Sequence, residues 1–145
     1  MILSRKTNYS ILALTRLVME GRDGVVQISE IAKKEQIPQR YLENLFLELR
    51  KEGIVGSRLG KNGGYFLSRN PAEISLLEII QLFEGQVGLL SCVSEKSYRP
   101  CGFCRDEETC RTKMVFREIR DFTIHRLKNA TLDMLVGDDH KALEN

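Results

Sequence analysis

The chain has 145 residues, 42% of them hydrophobic and 29% charged, with 22 Lys and Arg against 20 Asp and Glu for a formal charge of +2. This is the balance of a soluble globular protein of one domain, or a small domain with an appendage, and it excludes collagen-like, rod-like and membrane classes, since no apolar run approaches the roughly 18 residues of a membrane span. Four cysteines are too sparse to staple a fold, and Ser4-Arg5-Lys6 interrupts any apolar leader, so a reducing, cytoplasmic setting is expected.

The charge is unevenly placed. Met1–Asn70 carry twelve Lys/Arg and seven Asp/Glu, a balance of +5, whereas Pro71–Asn145 carry ten and thirteen, a balance of −3. A basic half followed by an acidic half suggests that one part meets a polyanion and the other does not.

From Thr7 to about Glu20, Ile11, Leu14, Thr15 and Val18 recur at helical spacing, and Gly21 is a natural stop. Ser29 is read as the N-cap of a short helix that runs through Ile31 and Ala32 to Glu35. Pro38 sits where a further helix can begin and Gly53 where it should end, with Leu42, Leu45, Phe46 and Leu49 as its apolar stripe. The turn around Gln36-Ile37 joins the two into a helix-turn-helix. Ile54–Arg58 and Tyr65–Ser68 read as strands, and Asn62-Gly63 predicts a tight turn with positive φ between them. Ser75 and Glu78 form a capping box for a helix to about Glu84. Gly85 to about Thr109 shows no periodicity, and a loop of that length in a compact domain is either functional or disordered. Arg111–Leu135 reads as one uninterrupted helix with Phe116, Ile119, Thr123, Leu127, Ala130 and Met134 in a near-heptad seam. At ~1.5 Å per residue such a helix outruns a small domain, so its stripe is expected to meet a second copy of itself.

These elements predict a mainly α fold with a small β-hairpin: a winged helix-turn-helix with a long C-terminal dimerisation helix. The expected organisation is a DNA-binding domain over 1–84, a cysteine-containing sensor loop over 85–109, the dimerisation helix over 110–136 and a flexible tail over 137–145.

With the apolar stripe of the second helix-turn-helix helix turned inward, Gln39, Arg40, Tyr41, Glu43 and Asn44 fall on its outer face and N-terminal end. They supply the donors and acceptors that base edges and phosphates need. In the wing, Arg58 and Lys61 with Asn62 and Gly63 combine cations with a glycine-rich backbone able to approach a phosphate ridge or a narrow minor groove.

Cys92, Cys101, Cys104 and Cys110 crowd into 19 residues of a chain that has no other cysteine. Thiolates this close suit an iron–sulfur cluster or zinc, and Cys110 near a helix N-terminus has its thiolate favoured. Zinc sites more often show two Cys-x-x-Cys knuckles, and the single one here, Cys101–Cys104, leans the spacing toward an iron–sulfur cluster. A metal-free thiol–disulfide switch and incidental cysteines are the alternatives. His125 lies about 22 Å along the helix from Cys110, too far to share its metal within one chain, and His140 falls in the tail. No Ser/His/Asp grouping, phosphate-cradling loop or isolated carboxylate pair stands out, so an enzyme is not expected.

Tyr9 to Leu17, Ile28-Ser29-Glu30-Ile31-Ala32, Tyr41-Leu42-Glu43, Leu49–Val55 and Arg58–Leu67 together resemble the Rrf2 family of bacterial winged-helix regulators, which includes IscR-, NsrR- and CymR-like repressors. The pairing of Tyr-Leu-Glu with a Gly-Gly-Tyr wing is its most specific part. The resemblance implies a homodimer that crosses its long C-terminal helices and sets two recognition helices on a pseudo-palindromic double-stranded DNA operator. In many members it implies loop cysteines holding a [2Fe–2S] or [4Fe–4S] cluster that senses iron–sulfur status, nitric oxide or redox state. Carried over by residue, Gln39, Arg40, Tyr41 and Glu43 fall on the reading helix, Arg58 and Lys61 on the wing, and Cys92 and Cys110 on the first and last cluster cysteines. Cys104 to Cys110 keeps the family spacing, Cys92 to Cys104 is stretched and Cys101 is extra, so either Cys101 or Cys104 is the middle ligand and all four could complete the set. Lys113 stands where some members have a ligating His, and Asn8 near where others recruit an acid. The expected function is a dimeric, cluster-sensing transcriptional regulator. A CymR-like regulator controlled by a partner or by thiol oxidation, and a small iron–sulfur electron carrier, are the rivals.

Overall fold

Ser4 lies in extended backbone and its hydroxyl accepts the N–H of Thr7 at 3.3 Å, opening α1 (Arg5–Glu20). The computed structural model describes residues 2–21 and 24–137. The elements that follow are α2 (Ile28–Glu35), α3 (Gln39–Lys51), β1 (Val55–Arg58), β2 (Gly64–Leu67), α4 (Leu76–Glu84), α5 (Arg111–Lys128) and α6 (Leu132–Val136). The tail expected over 137–145 lies, but for Gly137, outside the described residues. Among the described residues, no helix is long and apolar enough to cross a membrane.

Periodicity placed the helices well and misjudged several of their ends. α2 starts one residue before Ser29, with Gln27 at the N-cap position and no side chain capping it. Gln36 then takes the left-handed conformation (φ 54°) that turns the chain into α3, the one non-glycine residue among those described to do so. Ser75 does cap α4, accepting the N–H of Glu78 at 3.2 Å, but the Glu78 carboxylate pairs with Arg69 instead of closing the capping box.

The hairpin is antiparallel, in register from Val55 opposite Leu67 to Arg58 opposite Gly64. Val26 adds a bridge on the other edge of β2 that the sequence did not announce, exchanging both backbone hydrogen bonds with Tyr65 at 2.9 and 2.8 Å. The positive φ expected at Asn62-Gly63 falls on Gly60 (φ 108°). Gly63 is needed for a different reason: a Cβ there would lie 2.1 Å from the carbonyl oxygen of Arg58.

One core unites these elements. Leu14 and Leu17 of α1, Ile31 of α2, Leu42, Leu45, Phe46 and Leu49 of α3, Ile54, Val55, Ile74, Ile79 and Leu132 are all essentially sealed from solvent. Phe46 and Tyr65 meet edge-to-face with centroids 4.7 Å apart, locking the wing to the back of α3.

The uninterrupted helix expected over 111–135 is instead two. α5 ends at Lys128, the chain passes through Asn129 and Ala130, and Thr131 opens α6 from extended backbone. There the Leu76 N–H donates to the Ala130 carbonyl at 2.8 Å and the Leu132 N–H to the Ile74 carbonyl at 2.9 Å. Full burial of Leu132 stabilises by about 1.5–3 kcal/mol, more than the few helical hydrogen bonds surrendered at the break, which are remade with α4's approach.

Candidate functional site

Two groups of residues are set at separate parts of the fold. The first is the outer face of α3 with the wing. Because Leu42, Leu45, Phe46 and Leu49 face the core, helical spacing turns Arg40, Glu43, Asn44 and Leu47 outward as one exposed stripe. Gln39 is exposed at the first turn and its amide donates to the Glu43 carboxylate at 3.2 Å. Tyr41 sits differently: it is half-buried and meets Tyr9 edge-to-face at 5.6 Å, bracing α3 against α1. Lys6 of α1 reinforces that brace through Glu48 at 2.8 Å, a contact that raises the lysine's pKa chiefly by the hydrogen bond it makes.

Arg58, Lys61 and Asn62 are exposed on the wing, and neither cation holds an ion pair among the described residues. Gly63 is buried, so its part is to let the hairpin close. An open groove of about 380 Å³ separates the wing from the start of α2, lined by Gln27, Ser29, Arg50, Arg58 and Leu59 among others. Leu47, Arg50, Gln27 and Ser29 were missed from the sequence. The first two could have been found by extending the outward stripe one more turn, but Gln27 and Ser29 reach this face only through the Val26–Tyr65 rung.

The second group is the cysteine loop. It is irregular as expected, and polar ties hold it beyond the few side chains it buries, Val87, Cys92 and Val93. Ser91 accepts the Arg99 N–H at 3.2 Å, Ser94 accepts the Ser97 N–H at 3.1 Å, and Arg120 of α5 donates to the Val93 carbonyl. Tyr98 donates to Glu107 at 2.6 Å and Lys113 donates to the same carboxylate at 2.8 Å. Lys113, with Tyr98 second, holds that carboxyl below the ordinary glutamate range.

Cys92, Cys101, Cys104 and Cys110 are all free thiols and all line one cavity of about 170 Å³, together with Leu90 and Phe103. Cys92 is buried and the other three are partly exposed. Cys110 is the N-cap of α5, and its sulfur accepts the Lys113 N–H at 3.4 Å. That backbone donor first, and a hydrogen bond with Cys104 second, lower the Cys110 pKa. Burial and the contact with Cys110 raise that of Cys104, whose thiol also donates to the Asp106 carbonyl at 3.2 Å. Among the described residues no three Cys, His, Asp or Glu side chains stand together in metal-holding geometry. The donor set nonetheless has the right chemistry for a soft centre: four sulfurs around one mostly apolar cavity, with one thiolate already favoured. His125 is exposed in the last turn of α5, and Asn8 spends its amide on the carbonyls of Leu3 and Ser4.

The family model described as Rrf2, iron-dependent transcriptional regulator, matches residues 3–138. The chain belongs to the Rrf2 family. An rrf2-like helix-turn-helix transcriptional regulator of Rhodobacter capsulatus is 38% identical over 145 residues, covering 97% of each chain. CymR, described as the global cysteine regulator of B. subtilis, superposes with a TM-score of 0.78 at 28% identity over 94% of this chain and 96% of its own. IscR of T. potens gives 0.75 at 27% identity over 98% and 90%. This Rrf2-family protein is therefore a DNA-binding transcriptional regulator with a winged-helix fold, and its relatives are regulators and not enzymes.

Proposed function

We propose that this Rrf2-family regulator acts as a homodimer on a pseudo-palindromic operator and that its loop thiols hold an iron–sulfur cluster through which it senses redox state, nitric oxide or iron–sulfur status. The observation that carries the sensing part is the convergence of Cys92, Cys101, Cys104 and Cys110 on one cavity at the N-terminus of α5. A cluster bound there would supply a centre that gains or loses electrons and reacts with small oxidants.

The rest is the work of the chain's own residues. Gln39, Arg40, Glu43, Asn44 and Leu47 would face base edges in the major groove, while Arg58, Lys61 and Asn62 would contact backbone and minor groove. Tyr41 positions α3 from behind, and Gly63 shapes the wing. Cys110 would bind as thiolate without a large deprotonation cost, because the Lys113 N–H already stabilises its charge. Lys113, held by Glu107 and lining the cavity, would offset part of the charge of an all-thiolate ligand set.

The dimer reading rests on α5, which seals no side chain. In place of the expected seam, whose Phe116, Thr123 and Leu127 are half-buried and whose Ala130 is buried, it exposes Val115, Ile119 and Phe122 on one face. Their i, i+4, i+7 spacing makes a stripe that a second copy can cover. The test is purification without oxygen followed by iron, sulfide and zinc analysis, together with DNA binding across a salt series. A coloured protein with iron and sulfide, and operator affinity falling steeply with salt, is expected. A colourless zinc- or metal-free protein would overturn the cluster, and salt-insensitive or absent DNA binding would overturn the operator reading.

A further inference from the structure

Leu59 is 92% exposed, far more than any other apolar side chain on α3 or the hairpin, where Leu47 comes next at 48%. A single exposed leucine on an ordinary surface means little. This one stands at the tip of a two-stranded projection, between Arg58 and the glycine that turns the hairpin. Beyond Gly60 come Lys61 and Asn62, so the leucine is framed by two cations without ion pairs among the described residues and by a backbone with no side chain at position 60.

Each feature narrows what Leu59 can meet. The framing charges favour a polyanion as the occupant of this face, and phosphates offer an isobutyl group nothing. What DNA offers an apolar side chain is the thymine methyl in the major groove, or sugar edges and the faces of partly unstacked bases in the minor groove. The major groove is claimed by α3. A two-stranded hairpin is too broad to enter a minor groove roughly 6 Å wide, but one exposed side chain at its turn, here Leu59, can reach into it. The turn itself is close-packed, with Gly63 lying against the Arg58 carbonyl, and the Val26–Tyr65 bridge ties the turn end of β2 to the start of α2.

From these observations we infer that Leu59 is an apolar wedge that enters the minor groove beside the recognition site, spreads a flexible base step and bends the duplex, so that the protein selects sites partly by deformability. This rests on the operator reading above. It assigns specificity to a position the recognition helix never touches, because the deformation energy depends on the step being opened, with pyrimidine–purine steps such as TA opening most readily.

The experiment starts from a random 30-base-pair duplex library, from which the purified full-length protein selects binders. Bend angle and affinity are then measured on one enriched duplex by fluorescence resonance energy transfer between end labels and by anisotropy. The wild type is expected to enrich a flexible step outside the α3 contacts and to bend the duplex. Leu59→Ala should lose the bend and about tenfold in affinity on the enriched duplex, with little change on a stiff A-tract competitor. Leu59→Met should keep the bend. Leu59→Lys should raise affinity for all duplexes at low salt without restoring the bend. Equal bending and equal discrimination by wild type and Leu59→Ala would overturn the wedge and leave the operator reading intact. Failure of the wild type to enrich any sequence would overturn both.

Discussion

Over 13 residues α3 buries Leu42, Leu45, Phe46 and Leu49, whereas α5 runs for 18 residues and buries none. The first is fixed by the chain's own core and carries its outward residues as a rigid comb. The second packs on α4 and on the Ser91–Val93 segment, where Arg120, midway along the helix, donates to the Val93 carbonyl. A helix fixed by a sealed core cannot be re-aimed without unfolding, while a helix that seals no side chain can be shifted at smaller cost. On the reading proposed above, the recognition helix is the fixed part and the cysteine-loop region the adjustable one.

The largest test of that contrast compares two phenylalanines. Phe46→Ala should cost about 3–5 kcal/mol in urea unfolding, while Phe122→Ala in dilute protein should stay within about 0.5 kcal/mol. Equal costs would place α5 in the core and end the distinction. Next, Phe122→Asp should weaken self-association by at least about tenfold in sedimentation equilibrium, or ~1.4 kcal/mol, with the helical circular dichroism unchanged.

A smaller effect concerns the junction between the two regions. Glu84 ends α4, and its carboxylate accepts the Thr7 hydroxyl and the Ser4 N–H, the latter at 2.7 Å, clamping the start of α1. The Thr7 hydroxyl first, then Ser4, hold its pKa below the ordinary glutamate value. Its contribution is therefore complete above the ordinary glutamate range and is lost as pH falls through the lowered value. Glu84→Gln should cost about 1 kcal/mol at neutral pH, and the gap to wild type should close on acidification; a gap that widens would mean the carboxylate is not the acceptor. Smallest of all, Lys61→Ala should reduce the salt slope of DNA binding by about one, while Lys96→Ala in the acidic half leaves it unchanged.

The reader was legible in the residues almost to its last turn, because its information is periodic. Leu42, Leu45, Phe46 and Leu49 announce both the helix and the face it turns away from DNA. The cysteine loop was legible only as composition. Four cysteines in one loop point to thiol chemistry, yet nothing in the sequence says that Ser91, Ser94, Glu107 and Arg120 are the ties that gather them. The break at Ala130 was hidden for a related reason. Local propensity favoured one long helix, and the competing gain, burial of Leu132 beside Ile74, lies between residues distant in sequence. The Val26–Tyr65 rung escaped likewise, since a single bridge leaves no alternating pattern.

α6 packs on α1, so the first and last described helices complete one another. Translation delivers α1 well before α6. Leu14 and Leu17 must therefore wait through nearly the whole of synthesis for their final neighbours, and a nascent chain stalled within the cysteine loop would present an unfinished hydrophobic surface.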